Sequence, residues 1–210
     1  MNPRQTITAI AITIAGLAAG GTLTATQAQK TAKAEQTAKA KQIQAANAKV
    51  QRGAYLVRIG GCHDCHTPFK LGPNGPEPDM SRMLSGHPEG LKMPAPPSLG
   101  DGPWVWSGAG TNTAFAGPWG VSYTANLTPD RLTGLGIWDE DMFKKTLRTG
   151  RHWGVSRPIL PPMPWQNWAG ATDEDLSAVY AYLRTIKPIR NQVPDPVIAP
   201  PPPPTKTAAR

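Results

Sequence analysis

The chain has 210 residues, a formal charge of +8 and 39% hydrophobic residues, which leaves room for one domain with polar ends. Four lysines against one glutamate over residues 29–48 carry much of the charge. No basic stripe interleaved with aromatics accompanies them, which excludes nucleic acid as a partner.

Residues 1–28 read as an export signal. Arg4 is the positive start, Ile7 to Ala19 is the apolar stretch, and Thr26-Gln27-Ala28 offers small residues for cleavage after Ala28. The alternative is an uncleaved anchor, because Thr6 to Ala25 is twenty residues without a charge. Cleavage places the protein in the periplasm; retention of residues 6–25 would tether it to the membrane. Residues 29–48 form a linker rich in Ala, Lys and Gln, and the folded domain is expected over 49–190.

Val50 to Gly60 is the first helix with an apolar face, built on Val50, Ala54, Leu56 and Val57. Gly53 weakens it by about 1 kcal/mol against alanine, so a close helix crossing is expected there. Gly60-Gly61 stops it. Then comes Gly61-Cys62-His63-Asp64-Cys65-His66, which holds both cysteines of the chain in the form C-x-x-C-H. That form marks covalent haem attachment. Two residues between the thiols present both sulfurs from one turn to the vinyl groups on one haem edge, and His66 then lies under the ring to ligate iron. A thiol–disulfide redox pair is a competing reading, but it lacks an alternating strand–helix context. A zinc site completed by His63 or His66 is another, but His87 and His152 are isolated and supply no second cluster. His63 reads as a variable position. With both thiols on haem, no disulfide framework remains.

Residues 67–138 are dense in Pro and Gly and keep no helical period, so a long loop wrapping a cofactor is expected. Met80, Met83, Met93 and His87 lie here and read as cover for the haem edge. Asp139 to Arg148 is a short helix capped by Asp139 and stopped by Gly150, with Met142, Phe143, Thr146 and Leu147 on one face. Four prolines between Arg157 and Trp165 enforce a stiff extended segment that presents Met163, the expected sixth iron ligand. Thr172 to Ile186 is the strongest helix, with Thr172 and Asp175 as a capping box and Leu176, Val179, Tyr180, Leu183 and Ile186 on one face. Tyr182, beside that face, is placed over Gly53. Residues 191–210 read as a proline-rich disordered tail.

The order helix, C-x-x-C-H, loop, short helix, Pro-flanked Met and terminal aromatic helix resembles the class I c-type cytochromes. More narrowly, residues 50–190 resemble a single-haem domain of the cytochrome c subunits of bacterial membrane-associated dehydrogenases, of the alcohol, gluconate or nicotinate type. The resemblance is carried by Arg52 to Leu56, Cys62 to Pro68, Asn126 to Asp130, Thr133 to Trp138, Pro162 to Trp165, and Asp173 to Arg184. It implies an all-α, cytochrome c-like fold with a long Pro/Gly-rich insert between the haem motif and the second helix. It also implies one covalent haem c on Cys62 and Cys65, with His66 and Met163 as axial ligands. Those subunits string three such domains together, whereas one motif occurs here, so a single haem is expected.

The implied role is a one-electron relay, as a free periplasmic carrier or as the cytochrome subunit of a dehydrogenase, and not an enzyme in itself. Its partners would be a dehydrogenase catalytic subunit as donor and a terminal oxidase or another cytochrome as acceptor. The rival reading is a haem enzyme or gas-ligand sensor with an open sixth position. A carbonyl within residues 68–78 is expected to accept the His66 Nδ1 proton. Arg157, Tyr123 and Trp165 are candidates for the haem propionates.

Overall fold

The protein is described by a computed structural model covering residues 19–100 and 102–200. Residues 1–18 of the expected export signal and residues 201–210 of the expected tail lie outside it. The chain divides into two units, Met1–Ala46 and Asn47–Arg210. Helix α1 spans Ala19–Ile59. In the first unit its side chains from residue 25 onward are all exposed, as expected where hardly an apolar residue occurs to be buried. Among the described residues no helix is long and apolar enough to cross a membrane.

The second unit is built from the end of α1, four further helices and two small sheets. The helices are α2 (Cys62–His66), α3 (Glu140–Thr149), α4 (Trp165–Ala169) and α5 (Asp173–Leu183). Strands β1 (Phe69–Gly72) and β2 (Gly75–Pro78) form an antiparallel hairpin, with Gly72 opposite Gly75 across the two-residue turn Pro73-Asn74. Strands β3 (Ser107–Gly108), β4 (Ala114–Gly117), β5 (Gly120–Tyr123) and β6 (Val197–Ile198) form a second antiparallel sheet in that order.

The all-α class expected from the sequence is therefore corrected to a mixed one. The sheets fall largely inside the stretch expected to be loop. Two features hid them. Pro76 and Pro78 stand within β2 itself, where proline normally argues against a strand. The strands also run to four residues or fewer, too short for an alternating pattern to register.

The core is helical. Leu56 and Val57 of α1, Phe143 and Leu147 of α3, and Leu176, Val179 and Leu183 of α5 close on one another, joined by Leu84 and Leu135 from the connecting segments. Both helix starts follow from their caps: the Asp139 carboxylate accepts from Met142 N at 2.7 Å, and the Thr172 hydroxyl accepts from Asp175 N at 3.1 Å. At the crossing of α1 and α5, an added methyl at Gly53 would collide with the Ala178 carbonyl and lie 2.8 Å from Tyr182 Cβ. The glycine is there because two backbones touch. Outside that contact Arg52 spans to Asp175 with a two-pronged pair, Nε to Oδ1 at 2.9 Å and Nη2 to Oδ2 at 3.2 Å.

The chain does not leave the domain at residue 191, where the tail was expected to begin. Asn191 is 1% exposed, and β6 pairs with β5 at Gly120 and Val121.

Candidate functional site

Cys62, Cys65 and His66 lie on α2, one turn of helix that follows Gly61 in left-handed conformation. Spacings of three and four residues put all three side chains on one face of that turn. The turn is fixed from outside. Asn112 Nδ2 donates to the Asp64 carbonyl at 2.6 Å. The fully buried Thr67 hydroxyl bonds His63 Nδ1 at 3.0 Å and accepts from Leu84 N at 2.9 Å.

His66 is buried, with Nδ1 2.8 Å from the Ala125 carbonyl. That contact puts the proton on Nδ1 and leaves Nε2 as the basic nitrogen. Burial holds the imidazole below its ordinary range, so it is neutral at pH 7, as a metal ligand must be. The acceptor expected within residues 68–78 is thus corrected to Ala125. The Pro68 carbonyl is taken instead by Asp79 N at 2.8 Å.

Cys62 and Cys65 are free thiols, both half-buried. Burial pushes the Cys62 thiol up to about 12 and raises Cys65 as well. A thiol–disulfide exchange site works through a stabilised thiolate, and these surroundings oppose one. They suit a sulfur that ends neutral, as a thioether does. Among the described residues there is no cluster of three or more His, Cys, Asp and Glu of the kind a structural zinc needs.

Met163 is half-buried and packs on the same core cluster as Cys62. The segment leading into it is pinned at two points: Ile159 N donates to the Gly150 carbonyl at 2.8 Å, and the Ser122 hydroxyl of β5 donates to the Pro161 carbonyl at 2.6 Å. The Pro161–Pro162 bond is cis. The sheet missed in the sequence thus helps to seat this methionine.

The other candidates separate. His87 is fully buried with both ring nitrogens engaged, Nδ1 with Thr113 Oγ1 at 2.9 Å and Nε2 with the Leu91 carbonyl at 3.0 Å, so it has no free nitrogen for a metal. Tyr123 packs its ring on His87 at 4.9 Å between centroids. Trp165 lies against Gly150. Arg157 is half-buried; burial lowers its guanidinium from the ordinary value, and the charge of Asp195 acts the other way.

The donor set fits a haem. It offers two thiols and an imidazole on one face of one turn, and a thioether on the same core. Ala125, the residue that sequence reasoning missed, acts through its main chain and left no mark in the sequence.

No family model matches the chain. The chain is 31% identical over 143 residues to the gluconate 2-dehydrogenase cytochrome c subunit of Pantoea cypripedii, a match covering 67% of this chain and 24% of that protein. It is 29% identical over 157 residues to the cytochrome c subunit of the quinone-dependent alcohol dehydrogenase of Gluconobacter oxydans, covering 72% and 25%. It is also 28% identical over 141 residues to the fructose dehydrogenase cytochrome subunit of Gluconobacter japonicus, covering 67% and 22%. The chain spans about a quarter of the length of these relatives.

Proposed function

Starting from a chain that is homologous to the cytochrome c subunits of bacterial dehydrogenases, we propose that it is an exported one-electron relay carrying one covalent haem c. The observation that carries this reading is the α2 turn, with Cys62, Cys65 and His66 on one face and His66 Nδ1 held by the Ala125 carbonyl. A haem held there supplies one reversible electron at its iron.

The chain's own residues set the terms of that exchange. Cys62 and Cys65 would hold the group through thioethers, which would prevent its loss. His66, neutral and oriented, would offer Nε2 to the iron of a bound haem, and Met163, on its proline segment, would offer a thioether. With His66 and Met163 both committed to the iron, a bound haem would keep no open position for a substrate. A thioether ligand and an apolar surround both favour the ferrous state and raise the potential. Arg157 would be a candidate to meet a propionate of the bound group.

The donor we propose is the catalytic subunit of a dehydrogenase, and the acceptor a terminal oxidase or another cytochrome. The site of action is the periplasm, reached through residues 1–28. The domain runs from residue 49, after a linker over 29–48.

The test is oxidised-state absorption of wild type and Met163→Ala. Wild type is expected to show the Met–iron charge-transfer band and little affinity for carbon monoxide. Met163→Ala is expected to lose the band and gain carbon monoxide binding. A wild type that is already high-spin and binds carbon monoxide would sink the relay reading in favour of a sensor or enzyme.

A further inference from the structure

The His66 hydrogen bond depends on where two segments of main chain lie, and both are gripped by one residue far along the chain. The first segment carries the acceptor, Ala125. The second is Ser85-Gly86-His87, which lies against it. Gly86 N donates to the His66 carbonyl at 2.8 Å, and His87 N donates to the Thr124 carbonyl at 2.9 Å. A methyl added at Gly86 would lie 2.6 Å from both C and O of Ala125, so the carbonyl that receives the His66 proton packs on the bare Cα of Gly86.

Asn191 holds both segments. Its Nδ2 donates to the Ser85 carbonyl at 2.7 Å and to the His87 carbonyl at 2.8 Å, one on each side of Gly86. Its Oδ1 accepts from Arg82 Nη2 and from Glu89 N, each at 2.9 Å. Its main-chain carbonyl accepts from Asn126 Nδ2 at 3.4 Å, and the Ile189 carbonyl accepts from the same nitrogen at 2.8 Å. Every hydrogen-bonding position of the buried amide is used, and an amide so satisfied has one orientation.

We propose that Asn191 is a positioning residue for the iron ligand: it sets the Ala125 carbonyl against His66 Nδ1 and so tunes the potential. The proposal rests on the reading of His66 as an axial ligand. A carbonyl close on Nδ1 makes the imidazole a stronger donor and favours the ferric state. Loosening the contact weakens the donor and raises the midpoint potential.

The experiment uses the full-length, haem-loaded protein. In Asn191→Asp the size and both acceptor contacts are kept, but the two donations to carbonyls are lost; in Asn191→Ala all four side-chain contacts are lost, while the main-chain carbonyl that accepts from Asn126 remains. Redox titration of either is expected to give a midpoint above wild type. In the reduced protein the His66 Nδ1 proton, seen by NMR, is expected to exchange roughly tenfold faster. Arg82→Met removes one donor to Oδ1 from a half-buried position and gives a smaller shift of the same sign, which keeps the test readable should the Asn191 variants not fold. Lowered thermal stability with the wild-type midpoint and wild-type exchange at Nδ1 would reduce Asn191 to a structural clamp and overturn the proposal. A wild type lacking haem or histidine ligation would instead bring down the relay reading, and this proposal with it.

Discussion

At Gly53 the absence of a side chain is a packing requirement. Any Cβ there meets the Ala178 carbonyl of α5, a backbone atom that cannot turn aside as a flexible side chain would. Gly53→Ala is expected to lower stability by about 1–3 kcal/mol through forced separation of the helices, although alanine alone would favour the helix. Urea unfolding of the haem-loaded protein measures it; an unchanged or raised midpoint would show that the crossing tolerates a methyl. This residue was legible because a glycine inside an apolar helical period needs a reason. The surroundings of His66 were not. Its acceptor is a main-chain carbonyl at Ala125, which any residue type could supply, and Asn191 sits among prolines in a stretch whose composition suggests a tail.

Helices α3 and α5 follow from local signals and the strands do not. Asp139 and Thr172 each bond the backbone three residues on, the arrangement that frees a helix start from unpaired N–H groups. Thr172→Ala is expected to cost about 1 kcal/mol with no change in the haem spectrum, because α5 contributes packing to the site and no ligand. Thermal melts with parallel absorption spectra test this, and a shifted spectrum would mean that α5 bears on the iron directly. Thr172 and Asp175 have the spacing of a capping box, and the structure also commits the Asp175 carboxylate to Arg52 of α1. The local motif thereby becomes a tertiary one. β4 and β5 join Ala-Phe-Ala-Gly to Gly-Val-Ser-Tyr through Pro118-Trp119; they exist because the register pairs them, from Ala114 with Tyr123 to Gly117 with Gly120. Pairing of that kind is a property of two segments together, and neither segment shows it alone.

Across the molecule the three long helices are laced by charge. Lys49 of α1 and Lys144 of α3 both reach Glu140, at 3.3 and 2.9 Å, and Ser177 of α5 donates to it. Arg148 reaches Asp173 at 2.7 Å. The Ser177 hydroxyl first, and then Lys144, push Glu140 down to about 2. Asp175 and Asp173 are lowered by Arg52 and Arg148 respectively. A carboxylate with a folded value below its unfolded one stabilises the fold above the unfolded value, about 4.3 for glutamate, and loses that contribution as pH falls through the folded value. Wild type is therefore expected to exceed Glu140→Gln in stability at pH 7. The gap should close as pH falls from about 4.5 to about 2. Unfolding midpoints across that range decide it, and a gap that does not depend on pH would remove the charge from the account. These pairs are partly exposed, so salt should narrow the gap at pH 7 as well.

The amide of Asn191 and the carbonyl of Ser85 are 106 residues apart in the chain and 2.7 Å apart in space. A chain is made from its N-terminal end, so Cys62 to His66 exists, and its thiols are complete as chemical groups, long before Asn191 has been added. The thiols are therefore present as soon as the early segment is made, whereas the contacts of residues 189–191 with Ser85, His87 and Asn126 form only once the late segment is present.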